Sequence, residues 1–188
     1  KSNNILEIEG LKAQGYILIS IHREENVDSE KNFSDFLDSI DEISKVYNLP
    51  IIISTHPRTR KKLEEIGYEK SNKLIRFSKP YGFHEYNKLQ MNAFCVISDS
   101  GTITEESSIL NLPAITIRQA HERPEGMDEG TLIMSGLNKD RIIESIEVVT
   151  SQHREDRVTK IVSDYDVDNV SMKVLRIILS YVDYINRT

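Results

Sequence analysis

Phe94-Cys95-Val96-Ile97-Ser98-Asp99-Ser100-Gly101-Thr102-Ile103-Thr104-Glu105-Glu106 decides the fold. It reads as a short strand, a small hydroxyl-rich turn with one glycine, and the first turn of a helix. The strand is apolar without polar alternation, as expected where helices cover both faces of a sheet. The turn can bring backbone N–H groups to an anion at the helix N-terminus. A plain helix cap explains the same residues equally well.

Working outward, short apolar runs alternate with longer amphipathic ones, the pattern of βα units around a mostly parallel sheet. Strands are expected at Tyr16–Ser20, Ile51–Ser54, Leu74–Phe77, Phe94–Ser98, Ala114–Ile117 and Leu132–Met134. Helices are expected over 29–47, with Ser29 as cap and Asn48-Leu49-Pro50 as stop, from Pro57 to Gly67, and over 84–92, 102–110 and 138–150. A terminal helix over 168–186 carries Val170, Val174, Leu175, Ile177, Ile178, Leu179 and Val182, an apolar surface that needs something to pack on. Residues 1–15 read as a helical lead-in ending at Gly15. No repeat, low-complexity tract or linker divides the chain, so residues 1–188 form one three-layer α/β/α Rossmann-like domain.

Composition narrows the function classes. Of 188 residues, 38% are hydrophobic and 29% charged, so the chain can build a core and is not disordered. A net charge of −6 has the wrong sign for non-specific nucleic-acid binding, so any anion site must be local. The apolar runs fall short of the roughly 18 residues of a membrane span, and no signal peptide is expected. The single cysteine, Cys95, excludes an internal disulfide and suits a reducing cytoplasm. The five histidines form no ligand-like cluster, so no metal site is expected. The chain opens on Lys1, and the expectation is a piece of a longer protein.

Ligands of parallel α/β sheets sit beyond the carboxyl ends of the strands. There the sequence places Ile21-His22-Arg23-Glu24-Glu25-Asn26, Thr55-His56-Pro57-Arg58-Thr59-Arg60, the turn quoted above, and Arg118-Gln119-Ala120-His121-Glu122-Arg123-Pro124-Glu125-Gly126-Met127-Asp128-Glu129-Gly130. The first is either a site or a solvated charged loop. The second is either a site or basic residues on an exposed first helical turn. The fourth holds arginines whose planar forks suit phosphate, or it is a structural ion-pair network. Neither a Walker-type nor a G-x-G-x-x-G glycine loop is present, and G-x-S-x-G is absent.

Taken together and in order, His22-Arg23-x-Glu25-Asn26, His56-Pro57, Asp99-Ser100-Gly101-x-x-x-Glu105-Glu106 and Glu122-Arg123-Pro124-Glu125 resemble the C-terminal half of the non-hydrolysing UDP-N-acetylglucosamine 2-epimerases. The stretch His121–Gly130 is similar to the branch that makes UDP-N-acetyl-L-fucosamine from a UDP-2-acetamido-2,6-dideoxy-L-talose precursor, in capsule or O-antigen synthesis. The resemblance implies one half of a two-domain, glycosyltransferase-B-like enzyme of the bacterial cytoplasm, a homodimer when complete. It implies that Ser100, Gly101 and Thr102 hold the diphosphate, Glu106 the ribose hydroxyls, Tyr86 the uracil face, and the Tyr81 backbone the base edge. Arg123 and His22 would approach the diphosphate and the reacting sugar, with His22 as the catalytic group. Arg23 and His56 match positions of an allosteric UDP-sugar site. Thr102 and Tyr86 depart from the family's usual Gly and Phe. No cofactor is implied, and the isolated half is expected to be inactive, its acid/base carboxylates lying in the missing N-terminal domain. The alternatives are the nucleotide-binding half of a UDP-sugar glycosyltransferase, a hydrolysing 2-epimerase, or a non-catalytic UDP-sugar-binding module. Retaining transferases of that architecture pair two glutamates across seven residues; here Ser98 stands at the position upstream of Glu106.

Overall fold

Six parallel strands lie in the order β3-β2-β1-β4-β5-β6, where β1 is Ile17–Ile21, β2 Ile51–Thr55, β3 Ile75–Ser78, β4 Cys95–Ser98, β5 Ala114–Thr116 and β6 Ile133–Met134. This computed structural model describes residues 4–68, 72–120, 123–153, 157 and 159–185. The register is set at the centre, where Ile19 lies beside Ile53 on one side and Ile97 on the other. The chain builds outward from β1 to β3, then returns to place β4 on the opposite flank of β1. That reversal opens a crevice between the carboxyl ends of β1 and β4, where doubly wound sheets bind ligands.

The helices are α1 (Ile5–Glu9), α2 (Glu24–Val27), α3 (Glu30–Tyr47), α4 (Pro57–Glu65), α5 (Phe83–Asn92), α6 (Ile103–Leu110), α7 (Glu125–Asp128), α8 (Lys139–Gln152) and α9 (Val170–Ile185). Ser29 caps α3 as expected, its Oγ accepting from the Asn32 N–H at 3.3 Å, and Asn48 ends the helix in the left-handed region at φ 49°. Pro57 opens α4 behind His56, whose Nδ1 accepts from the Arg58 N–H at 3.4 Å.

Strand side chains alternate between two cores. Ile17, Ile19 and Ile21 pack with Phe33, Phe36, Ile40 and Ile43 of α3 and Ile142 and Ile146 of α8. Tyr16 and Leu18 pack on the other face with Ile5, Leu89 of α5 and Ile103 of α6. Both faces of the central strands are therefore dry, which explains their unbroken apolar sequence. Each fully buried side chain of this size contributes about 1.5–3 kcal/mol against the entropy of ordering.

Several expectations need correction. The lead-in helix stops at Gly10, which takes φ 63° as its left-handed C-cap, and does not run to Gly15. The short helices α2 and α7 are additional to the expected elements, and β1, β3, β4 and β6 each begin one residue later than expected. His121, Glu122 and the end of the expected terminal helix lie outside the described residues. No residue of α9 is buried. No helix among the described residues is long and apolar enough to cross a membrane.

Candidate functional site

The crevice at the β1–β4 reversal is organised around Asp99, the residue after β4, which is fully buried at 0% exposure. Its carboxylate accepts from the backbone N–H groups of His22 (3.1 Å) and Arg23 (2.9 Å) and from Asn26 Nδ2 (3.1 Å). The His22 ring completes the set, with Nδ1 3.0 Å from Asp99 Oδ1. Burial alone would push the Asp99 carboxyl up, but the hydrogen bonds from His22, the Arg23 N–H and Asn26 outweigh it and hold the group below its ordinary 3.8. In turn the bond to Asp99 raises His22 above 6.5, against desolvation and the nearby Arg23 charge. These contacts also explain α2: its first turn is pinned to the β4 end through the Arg23 N–H and Asn26.

Beyond Asp99 the chain turns through Ser100, Gly101 and Thr102 into α6. The Ser98 Oγ accepts from the Ser100 N–H at 3.0 Å, and the Ser100 and Thr102 hydroxyls lie 2.9 Å apart. Arg123 reaches over this turn. Its Nε sits 2.9 Å from Glu105 Oε1, and its Nη1 lies 2.2 Å from where a Cβ on Gly101 would be. Glycine is needed here for that close approach. Buried Arg118 brings a second guanidinium, with Nη1 3.6 Å from the same point. A small cleft is lined by Ser100, Gly101, Arg118, Arg123 and Met127. Two guanidinium groups, one of them paired with Glu105, bring positive charge to the N-terminus of an eight-residue helix, an arrangement that favours an anion.

Glu106, one turn into α6, accepts from Gln90 Nε2 of α5 at 2.6 Å. Tyr86, one turn earlier on α5, is half-buried. Burial pushes its phenol well above the ordinary range; a hydrogen bond to Ser20 opposes this, while the Glu106 and Asp99 charges add to it. Tyr81 packs against the same core; burial pushes its phenol up to about 12, with Glu9 adding to the rise and a hydrogen bond to Ser78 opposing it. On the far side, the His56 ring centroid lies 6.4 Å from that of His22. Arg58 is engaged by Glu24 at 2.7 Å and Asp28 at 3.3 Å, so α2 and α4 meet through an ion pair.

The structure thus brings His22 and Arg23 to Asp99 with His56 beside His22, Ser100, Gly101, Thr102 and Arg123 to the start of α6, and Tyr86 near Ser20, Asp99 and Glu106, while it places Tyr81 beside Ser78 and Glu9. Sequence reasoning gave no role to Asp99, Gln90 or Asn26. A lone buried carboxylate directly after a strand is the signal that could have found the first; a polar residue on the inner face of a helix could have found Gln90.

Comparison with known proteins identifies the family. Residues 1–179 match the family model described as UDP-N-acetylglucosamine 2-epimerase. The structure of a UDP-N-acetylglucosamine 2-epimerase from Rickettsia bellii is 52% identical, with a TM-score of 0.88 over 100% of this chain and 50% of that one. The Methanocaldococcus jannaschii UDP-GlcNAc 2-epimerase, in complex with UDP-GlcNAc and UDP, is 34% identical, with a TM-score of 0.83 over 96% of this chain and 49% of that one. A UDP-2,3-diacetamido-2,3-dideoxy-D-glucuronate 2-epimerase from Pseudomonas aeruginosa is 31% identical over 72% of this chain and 38% of its own length. The chain therefore spans no more than about half of these relatives. With a family model matched along nearly its whole length, the chain belongs to the UDP-N-acetylglucosamine 2-epimerase family.

Proposed function

We propose that this domain is the UDP-gripping half of a UDP-N-acetylhexosamine 2-epimerase. The observation that carries this reading is the Arg123 guanidinium lying over the Gly101 turn at the start of α6, with the His22–Asp99 pair at the adjoining strand end. The diphosphate would sit on Ser100, Gly101, Thr102 and Arg123, the ribose diol on Glu106, and the uracil between Tyr86 and the Tyr81 backbone.

The chemistry is elimination followed by re-addition. A base takes the proton from sugar carbon 2, a double bond forms between carbons 1 and 2, and the carbon 1–oxygen bond breaks with its electron pair leaving on UDP. Return of UDP to carbon 1 and of a proton to the opposite face of carbon 2 completes the inversion. A carbon acid beside an acetamido group is weak, so donors aimed at the departing diphosphate must supply much of the help; each well-placed donor is worth about 3–4 kcal/mol. His22 stands where it can move a proton or support the leaving phosphate.

The remaining acid/base groups would come from a companion domain, so the 188-residue chain alone binds UDP and does not epimerise. The finer substrate reading is UDP-2-acetamido-2,6-dideoxy-L-talose going to UDP-N-acetyl-L-fucosamine, supported by the resemblance of His121–Gly130 to that branch. Homodimer formation and a second UDP-sugar site at Arg23 and His56 belong to the same proposal. The test is incubation of the two-domain protein in deuterated water with UDP-N-acetylglucosamine and with the 6-deoxy-talose sugar. Deuterium should enter carbon 2 during turnover, faster with the second; turnover without exchange rejects the chemistry, and preference for the first rejects the finer reading. Transfer to an acceptor would favour a glycosyltransferase instead.

A further inference from the structure

Asp99 is the one fully buried carboxylate among the described residues that touches the candidate site, and nothing in the proposed chemistry uses it directly. Its bonds tie the segment after β1 to the turn after β4 through the His22 and Arg23 N–H groups, Asn26 Nδ2 and His22 Nδ1. An ionised carboxylate only accepts hydrogen bonds. With Asp99 ionised, the proton on His22 must therefore sit on Nδ1 whenever the ring is neutral, leaving Nε2, on a side chain 42% exposed, with its lone pair. We infer that Asp99 is a positioning residue that holds His22 in a single tautomer, with Nε2 kept as the atom that exchanges a proton with the ligand, and that it sets this tautomer from the same turn that seats the diphosphate.

The inference deepens the epimerase reading and rests on it only for the identity of the ligand. The groups that face His22 are Asp99 from the β4 end, Arg23 beside it in the chain, and His56 from the start of α4; Tyr86 of α5 stands on the other side of Asp99 and feels its charge. Of these, only Asp99 bonds the ring, so the tautomer follows from one contact. Asp99→Asn keeps a carbonyl oxygen for the Arg23 N–H and Asn26 but turns an NH2 donor toward Nδ1. That substitution inverts the tautomer and puts the neutral proton on Nε2.

Nitrogen-15 chemical shifts of the histidine rings, followed against pH in the 188-residue chain, read this directly, with His22→Gln to assign the resonance. In the unsubstituted protein, neutral His22 should show the Nδ1–H form, and its titration should lie above that of an ordinary histidine. In Asp99→Asn it should show the Nε2–H form and titrate lower than in the unsubstituted protein. A neutral Nε2–H form in the unsubstituted protein overturns the inference, as does an unchanged tautomer and titration in a folded Asp99→Asn; the first of these needs no variant to fold. In the two-domain protein, Asp99→Asn should lower kcat by about 100-fold with KM within about threefold. A KM change with kcat preserved would make Asp99 a structural support of the phosphate turn only, and would overturn the positioning role. Failure of the epimerase reading looks different: no exchange at carbon 2 in the unsubstituted protein, with the tautomer as stated.

Discussion

Gln90 Nε2 donates to Glu106 Oε2 at 2.6 Å, a bond that joins α5 to α6 at the edge of the crevice and aims the carboxylate. If Glu106 holds a ribose diol, its removal affects nucleosides and spares bare phosphates. Glu106→Ala should weaken UDP binding by about tenfold or more, the worth of a hydrogen bond to a charged group, while leaving pyrophosphate affinity unchanged. Calorimetric titration with both ligands checks this. Equal losses for both would place Glu106 on the phosphates.

Gly101 and Arg123 act as a unit. An added Cβ at Gly101 collides with the far end of the flexible Arg123 side chain and makes no more than ordinary contact with Arg118, so Gly101→Ala should leave the melting temperature within a few degrees yet swing the Arg123 guanidinium away from the turn. UDP affinity should fall by about the same factor as in Arg123→Ala, and the double variant should be little worse than either single one. Additive losses would mean that Gly101 holds the phosphate through its own backbone, independently of Arg123.

Gly126 has a different reason to be glycine. A Cβ there would lie 2.2 Å from Thr104 Cγ2 and 3.2 Å from Thr131 Oγ1, both on buried, stiff side chains that fasten α7 to α6 and the β6 approach. Gly126→Ala should destabilise the chain by about 1–3 kcal/mol in urea titration, the usual cost of overpacking. Because Thr131 Oγ1 also donates to the Gly126 carbonyl at 3.0 Å, the damage should reach the segment that carries Arg123. No loss of stability would show that α7 is loosely held.

The parts of this molecule that were legible in advance are those written in periodicity. All six strands appear within about a residue of where Ile, Val and aromatic runs placed them, and burial on both faces of β1, β2, β4 and β5 leaves little other composition open to those four. The motif residues follow strands, and the carboxyl ends of parallel strands share one edge of the sheet. What periodicity does not encode is a four-residue helix. α2 exists because Asp99, distant in sequence, collects the Arg23 N–H and Asn26, and α7 because Gly126 lets it sit on Thr104. Gly15 looked like a helix stop, yet Gly10 comes first and takes the left-handed cap. Asp99 itself was visible only as one letter of a motif; its role depends on contacts to residues more than seventy positions away.

α9 invites a measurement of its own. Its apolar side chains, Leu179 and Ile185 among them, are exposed along the whole helix. A helix of 16 residues without tertiary packing is marginal in water. In the 188-residue chain studied alone, amides of 170–185 should exchange with solvent almost unprotected, while those of β1 and β4 exchange only through global unfolding. Adding the companion half should protect α9 if that half is what covers it. Strong protection in the isolated chain at every concentration would mean that the helix folds back onto the sheet.

The His22–Asp99 pair gives stability a defined pH window. Folding raises His22 above 6.5, so its contribution is complete below 6.5 and is lost as pH climbs through the raised value. Folding lowers Asp99 below 3.8, so its contribution is complete above 3.8 and is lost as pH falls through the lowered value. The part of each shift that comes from the His22–Asp99 contact is one interaction, counted once, and it is strongest between those two ordinary values; the Arg23 N–H and Asn26 bonds add to the Asp99 shift separately. The stability difference between the unsubstituted chain and His22→Ala should therefore be largest near pH 5 and smaller at pH 8.5, as measured by urea denaturation at each pH. Part of the difference should persist at high pH, because neutral His22 still donates from Nδ1 to Asp99. A gap of equal size at both pH values would mean that the pair holds the crevice by shape and hydrogen bonding alone, with no contribution from the imidazolium charge.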